Sequence, residues 1–350
     1  MHPFLQKLAV DHHVEFWLGE LDRSWSVRTL RGRVLDVIHE THDVKSFRLR
    51  ANRLWKGHRA GQFVTVDVEL DGVRTRRCYS IASAPAPDGR TFSLTVKRAG
   101  RVSSWLHDNV VVGDVLELGS VAGTFVMPAH AQPARILFVS GGSGITPLMS
   151  MLRDLASRNA IADLVFLHAA RSESDVIFAA ELADLAARHL GLRLALHCGP
   201  LDGEALRKAV PDFAERDTFM CGPPGMMTGL APSWTGIEDR LKTERFYVAP
   251  ARADVETGTN RRAGARKVRL TMAGSGTSLE VDDSLTLLEH LERAGHTPKS
   301  GCRMGICNTC VCRKESGVVE NTTTGELSAD PNHDIRLCSS RAHSDIVLSL

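Results

Sequence analysis

The most specific chemistry in this 350-residue chain sits near its end, where Cys302, Cys307 and Cys310 stand at Cys-x4-Cys-x2-Cys and Cys338 follows after a long gap. That is the ligand spacing of a plant-type [2Fe–2S] centre, in which four thiolates hold two irons inside a loop of small residues. Gly301 and Gly305 can take backbone angles closed to other residues and so bring amide N–H groups towards sulfur. Zinc is the rival ligand, but structural zinc favours paired Cys-x2-Cys units and only Cys307 and Cys310 make one. Cys312 is a fifth candidate that the spacing leaves out, and it reads as a packed thiol beneath the loop. A centre of this kind takes one electron at a time, so the source of electrons must be sought upstream.

Four other stretches could do chemistry. In Arg77-Cys78-Tyr79-Ser80 a strand alternation puts Arg77 and Tyr79 on one face. Gly100-Arg101-Val102-Ser103-Ser104-Trp105-Leu106 is a glycine turn opening a helix, whose N–H groups and serine hydroxyls can seat a phosphate. Ser140-Gly141-Gly142-Ser143-Gly144-Ile145-Thr146-Pro147 links an apolar strand to an apolar-periodic helix, the form of a dinucleotide site, and it lacks the lysine of a P-loop. The strand Phe219-Met220-Cys221 ends in Gly222-Pro223-Pro224-Gly225. Each is weak alone, since a cation beside an aromatic is common on strands and a lone strand thiol is usually a small buried hydrophobe.

Around these stretches the pattern divides the chain into five parts: a helical extension at 1–28, a barrel at 29–130, an α/β domain at 131–250, a linker at 251–265 and a last domain at 266–350. In the first, Leu5, Leu8, Val14, Trp17, Leu18 and Leu21 fall roughly on one face and should pack on the following domain, or else dock a partner. His12 and His13 are adjacent on that helix, point in different directions and make poor metal ligands. Short alternating segments such as 33–38, 46–49, 63–68 and 92–96 predict an antiparallel β-barrel. Apolar strands alternating with helices then predict a doubly wound parallel sheet. Strands at 268–272 and 278–281, a helix at 284–294 and a late strand at 345–348 surround the cysteine loop. A net charge of +2 shows no nucleic-acid footprint. No apolar run reaches the ~18 residues of a membrane span, and the first residues lack the features of a signal peptide. The expectation is a cytoplasmic protein in a compartment that keeps thiols reduced.

Taken together and in this order, the segments resemble the ferredoxin–NADP reductase superfamily with a C-terminal β-grasp ferredoxin domain. The resemblance implies that Arg77 binds flavin phosphate, Tyr79 packs on the isoalloxazine ring and Ser80 hydrogen-bonds near its N5. It places Gly100, Val102 and Ser103 at a pyrophosphate, which implies FAD rather than FMN. It makes Gly141, Gly142, Gly144 and Thr146 the pyridine-nucleotide signature, and sets Cys221, with Gly222 and Pro223, beside the nicotinamide. Most relatives have a third proline where this chain has Gly225. Glu244-Arg245-Phe246-Tyr247 resembles the domain-closing segment whose aromatic lies near the flavin, so Phe246 joins Ser80 and Cys221 at the hydride-transfer site. Arg171, just after the second strand of the α/β domain, would accept the 2′-phosphate of NADPH, although Glu173 and Asp175 nearby could serve NADH.

The implied function is an electron line from NAD(P)H to FAD to [2Fe–2S] to an external acceptor. Residues 12–18 and 301–307 look similar to reductase partners of membrane fatty-acyl desaturases of the stearoyl-CoA type, and the apolar N-terminal stripe would suit peripheral contact with the inner face of a membrane. The alternatives are the reductase component of a Rieske or di-iron oxygenase and, in a different class, a redox-sensing iron–sulfur flavoprotein.

Overall fold

Alternation of apolar and polar residues builds the first sheet of the computed structural model, which describes residues 10–70, 72–128, 135–246, 267–301, 305, 309–322 and 325–350. After helix α1 (Val10–Leu21) come β1 (Leu30–Thr41), β2 (Val44–Ala51), β3 (Phe63–Leu70), β4 (Val73–Ser80), β5 (Thr91–Lys97), helix α2 (Arg101–Asn109) and β6 (Val115–Leu118). The strands pair antiparallel in the order β4-β3-β6-β1-β2-β5, and a bridge between Ile81 and Leu94 joins the two ends into a barrel. Val34, Phe47, Leu49, Val64, Val66, Phe92 and Leu94 fill its interior, and α2 adds Val102 and Leu106.

The next sheet is parallel: β7 (Ile136–Gly141), α3 (Ile145–Ser157), β8 (Leu164–Ala170), α4 (Ala179–Arg188), β9 (Leu192–Cys198), α5 (Gly203–Ala209), β10 (Asp217–Gly222), α6 (Pro224–Leu230) and β11 (Leu241–Arg245). The strand order β11-β10-β7-β8-β9 reverses between β7 and β10. In open α/β sheets that reversal opens a crevice at the carboxyl ends of the strands, where ligands bind. Strands buried on both faces, such as β7 and β8, explain the near-continuous apolar runs.

Barrel and parallel sheet form one unit, Met1–Phe246. Val44, Ala60, Ala82 and Phe125 from the barrel share a core with Ile145, Leu148, Met149 and Met151 of α3. Ser150 Oγ of that helix donates to Ser83 O at 2.6 Å, and Arg153 Nη1 donates to Ala82 O at 2.7 Å. The second unit, Tyr247–Leu350, carries β12 (Val268–Met272), β13 (Ser278–Val281), α7 (Leu287–Arg293), β14 (Val311–Ser316), β15 (Val319–Asn321), β16 (Leu327–Ser328), β17 (His333–Arg336), β18 (Ser340–Ala342) and β19 (Ile346–Leu348). Its main sheet runs β13-β12-β19-β14-β17 with β12 and β19 parallel, and Leu287, Leu288 and Leu291 of α7 pack into its core.

Two local expectations shift. Helix α7 starts after Thr286 rather than at Ser284, because the Thr286 hydroxyl accepts from the Glu289 N–H and the Glu289 carboxylate accepts from the Thr286 N–H. This reciprocal cap satisfies two amides that the earlier start would leave open. On α1 two members of the apolar stripe stay open to solvent, Trp17 at 63% and Leu21 at 75% exposure, while Leu5, Leu8 and the side chain of Val14 lie outside the described residues. Polar contacts fasten the helix instead, with Glu15 accepting from the Val27 N–H and facing Arg31 at 3.6 Å, and with Asp22 paired to Arg33 at 2.5 Å. No helix among the described residues is long and apolar enough to cross a membrane. Residues 247–266, which contain the expected linker and Tyr247, lie outside the described residues.

Candidate functional site

Strand β4 carries three arginines, and its pleat sorts them. Arg74 and Arg76 both donate to Asp67 on β3, with Arg74 Nη2 at 2.7 Å and Arg76 Nε at 2.5 Å, and the two cations hold the Asp67 carboxyl below its usual range despite burial. Arg77 and Tyr79 fall on the other face. Arg77 Nη1 donates to Arg76 O at 2.8 Å, and the Tyr79 ring is half-buried against the barrel core. Burial pushes the Tyr79 phenol up, so it stays neutral, while the Arg77 charge opposes the shift. Ser80, buried, ends the strand.

At the start of α2 the side chains serve the fold and the backbone is what a ligand would meet. Ser103 Oγ accepts from the N–H groups of Ala99 and Gly100, both at 2.9 Å, and donates to Gly100 O at 3.0 Å. Val102 lies in the barrel core. A phosphate here would therefore find the first-turn amides of α2 rather than a hydroxyl. Gly100 is extended and a Cβ there would meet nothing within 4 Å, so the missing side chain leaves room without relieving strain.

In the α/β half, the turn after β7 is pressed against the end of β10. A Cβ on Gly144 would lie 2.3 Å from Cys221 O, and one on Gly141 would lie 2.8 Å from Met226 Sδ and Pro223 Cδ. Gly142 has φ +50°, in the left-handed region. Thr146 Oγ1 donates back to Ser143 O at 3.0 Å and clamps the turn. A Cβ on Gly222, at the end of β10, would press on Met226 Cε and come within 3.0 Å of the Gly141 N. This close approach of glycine backbone to glycine backbone forms a cradle that a dinucleotide fits and larger residues would fill.

Parallel register places a polar row along the carboxyl edge of the sheet: Glu244 on β11 stands opposite Cys221 on β10, Cys221 opposite Ser140 on β7, and Ser140 opposite His168 on β8. Cys221 is fully buried, and burial first and the nearby Glu244 second push its thiol pKa well above the usual value. Glu244 hydrogen-bonds Ser80 of the barrel, yet its Oε2 is sealed from solvent without a partner among the described residues. Burial raises this carboxyl to about 8, only partly opposed by the Ser80 hydrogen bond. An unsatisfied buried carboxyl oxygen between Ser80 and Cys221 is what a site for a polar ring system leaves in the protein alone. In the sequence Glu244 stands out only as part of a segment; its place beside Cys221 follows from the register of β11 against β10. Phe246, which follows, is half-buried against the shared core.

Glu244 carries a prediction. A carboxyl lifted from 4.5 to about 8 in the fold is neutral below that pH, so its contribution to stability is complete below the ordinary value and lost as pH rises through about 8. The thermal midpoint of the protein without flavin should fall between pH 5 and 9 by at most ~1.4 kcal/mol per unit in free energy, and Glu244→Gln should flatten that fall. Parallel pH profiles for the two proteins would contradict it.

Arg171 lies directly after β8, exposed at the surface. It donates to Asp175 at 2.8 Å and to Asp43 of the barrel at 3.5 Å, Ser172 Oγ donates to Asp175 at 2.9 Å, and Lys97 faces Asp43 at 3.1 Å. These neighbours hold both carboxyls below their usual range.

In the second unit Cys310 and Cys338 are buried with their sulfurs 3.2 Å apart, beyond disulfide length. The Gly305 N–H points at Cys338 Sγ from 3.2 Å, and with φ +71° and Ser339 Oγ 2.7 Å from where a Cβ would be, only glycine fits there. Converging thiols with an amide aimed at sulfur suit an iron–sulfur centre. Cys302 and Cys307 lie outside the described residues. Cys312 turns its sulfur to Arg313 O and Ser349 O, at 3.6 and 3.7 Å, and burial pushes its thiol to about 11, the marks of a packed thiol.

Comparison with known proteins agrees with this order of sites. Residues 32–127 match the oxidoreductase FAD-binding domain, 138–231 the oxidoreductase NAD-binding domain and 270–343 the 2Fe-2S iron-sulfur cluster binding domain. The chain is 39% identical to a protein of Mycobacterium tuberculosis named NADPH oxidoreductase, over 93% of this chain and 86% of that one. It is 35% identical to the glycine betaine monooxygenase reductase subunit of Pseudomonas aeruginosa, over 90% and 94%. In fold it is similar to phthalate dioxygenase reductase, with TM-score 0.60 and 24% identity over 92% of this chain and 98% of that one. Likeness of this extent, through all three domains in one order, means that the chain belongs to the ferredoxin reductase-type FAD- and NAD-binding oxidoreductases that carry a C-terminal [2Fe–2S] ferredoxin domain.

Proposed function

We propose that this oxidoreductase is the reductase component of an oxygenase, passing electrons from NADPH to a terminal oxygenase protein. The observation that carries the reading is likeness through nine-tenths of the chain to a relative named as a monooxygenase reductase subunit. The desaturase partner that the sequence reading put first draws no support from the names of the relatives, and the oxygenase reductase that stood as its alternative fits them better.

In this reading FAD, when bound, takes up a hydride as an electron pair and releases the electrons singly. Arg77 and the first-turn amides of α2 hold its phosphates, Tyr79 covers the ring, and Phe246 borders the same site. Ser80 and the neutral Glu244 carboxyl offer a proton donor and acceptor at the ring edge, both groups withdrawn from water by burial. Gly141, Gly142, Gly144 and Thr146 shape the nucleotide cradle, and Cys221, Gly222 and Pro223 close it beside the nicotinamide. Cys310 and Cys338, with Cys302 and Cys307, hold the cluster.

The test combines the purified chain and NADPH with the oxygenase component of a glycine betaine monooxygenase and, separately, with desaturase-containing membranes. Hydroxylated or demethylated product in the first alone is the expected result; unsaturated product in the second alone overturns the reading. For the nucleotide, the name of the 39% relative supports NADPH. Arg171→Ala should lower kcat/KM for NADPH on the order of tenfold, the loss of one charge-assisted phosphate contact, and leave NADH within about threefold. Equal losses for both nucleotides would remove Arg171 from that role.

A further inference from the structure

Ser140 and His168 are both wholly buried, on adjacent parallel strands, with Ser140 Oγ 2.7 Å from His168 Nδ1. His168 Nε2 is sealed from solvent and has no hydrogen-bond partner among the described residues. Burial holds the imidazole neutral, its pKa pushed down to about 4, so the pair carries no charge at working pH. Two apolar side chains of the same shape would sit here at lower free energy, since a buried nitrogen without a partner is destabilising. Neither residue belongs to the cradle described above, and Phe138 and Phe166, two residues before Ser140 and His168 on their strands, lie in the apolar core.

What the pair does follows from its place. Ser140 hands strand β7 to the turn, and three of the next four residues are glycines. Glycine loses more conformational freedom on ordering than any other residue, so such a turn holds one shape only if both ends are fixed. The far end is clamped by Thr146 on Ser143 O. At the near end the side-chain anchor is the Ser140–His168 bond, and it ties the turn to β8, the strand that ends beside Arg171. The same Ser140 stands opposite Cys221.

We propose that Ser140 and His168 are positioning residues that fix the direction in which β7 enters the glycine turn and so preorganise the pyridine-nucleotide cradle. The inference rests on the nucleotide reading above. Its energetic logic is that of a preformed site, where ordering done before binding is not charged to affinity.

The experiment uses the full chain loaded with FAD. Isothermal titration with NADP+ measures the dissociation constant, and hydrogen exchange follows the amides of residues 141–146 with no nucleotide present. Ser140→Ala should weaken NADP+ on the order of tenfold and speed exchange in the turn by a similar factor, whereas Ser140→Thr, which keeps the hydroxyl, should restore both. The deciding protein is Ser140→Ala combined with His168→Leu. With the orphan nitrogen gone its thermal midpoint should equal or exceed the parent's, yet NADP+ should remain about tenfold weaker. A double variant that binds as the parent does would make the pair a core contact and overturn the proposal. If the double variant fails to fold, unchanged binding and exchange in Ser140→Ala alone would overturn it. If the parent binds neither NADP+ nor NAD+, the nucleotide reading falls first and the inference with it.

Discussion

Replacing Cys338 by serine is expected to abolish electron delivery to one-electron protein acceptors while leaving reduction of the flavin by NADPH within about threefold of the parent. Cys338 lies in the buried turn Leu337–Ser339, its sulfur 3.2 Å from that of Cys310 and reached by the Gly305 N–H. Serine keeps the size, but a hydroxyl oxygen is a far poorer ligand than thiolate for iron in such a cluster. Loss of the ferric–sulfur absorption and a fall of about 10²-fold or more in reduction of a protein acceptor should follow together. Stopped-flow bleaching of the flavin by NADPH supplies the control, because the FAD-binding and NAD-binding domains lie in the other unit. If bleaching disappears as well, the division of labour between the units is wrong.

Gly144→Ala should have the second large effect, on nucleotide binding and on the stability of the first unit. Its Cβ would lie 2.3 Å from Cys221 O, 2.5 Å from Cys221 C and 2.7 Å from Gly222 Cα, all backbone atoms that no rotamer change can withdraw. The glycine turn must then move off the end of β10, which pulls the two walls of the cradle apart. About 1–3 kcal/mol of stability should be lost, the range typical of overpacking, and NADP+ affinity should fall about 100-fold or more. Gly225→Ala is the matched control, since its Cβ would meet nothing within 4 Å among the described residues and it lies in α6. That change should be neutral or stabilising by up to ~1 kcal/mol through helix propensity. Similar damage from both would place the effect of Gly144→Ala in glycine flexibility rather than in the approach of β10.

The chemistry legible in the sequence was that written in contiguous residues. Cysteine spacing, the glycine turn after β7, Arg77 to Ser80 and the strand ending in Cys221 all combine a local conformation with a local residue type, and a periodicity or a motif exposes both. What stayed hidden depends on register between distant strands. Nothing near Glu244 says that its carboxyl will be sealed next to Cys221, and nothing near His168 says that it faces Ser140; both follow from which parallel strands are neighbours. The arginines of β4 show the same limit, because Asp67 on β3 decides that Arg74 and Arg76 are structural. Periodicity on α1 showed an amphipathic helix but not whether its apolar face would be covered, and Trp17 and Leu21 are not. The acceptor was least legible, since recognition of a partner needs no regular pattern.

The core shared by the barrel and α3 makes the first unit melt as a single object. Residues of both lobes interlock there, and Ser150 and Arg153 stitch α3 to the barrel through backbone carbonyls. Heat cannot free one lobe without stripping apolar surface from the other, so the transition is cooperative across both. Flavin emission, dim while the ring is bound and bright once released, would therefore serve as a built-in thermometer for the nucleotide lobe, with no added dye and no label.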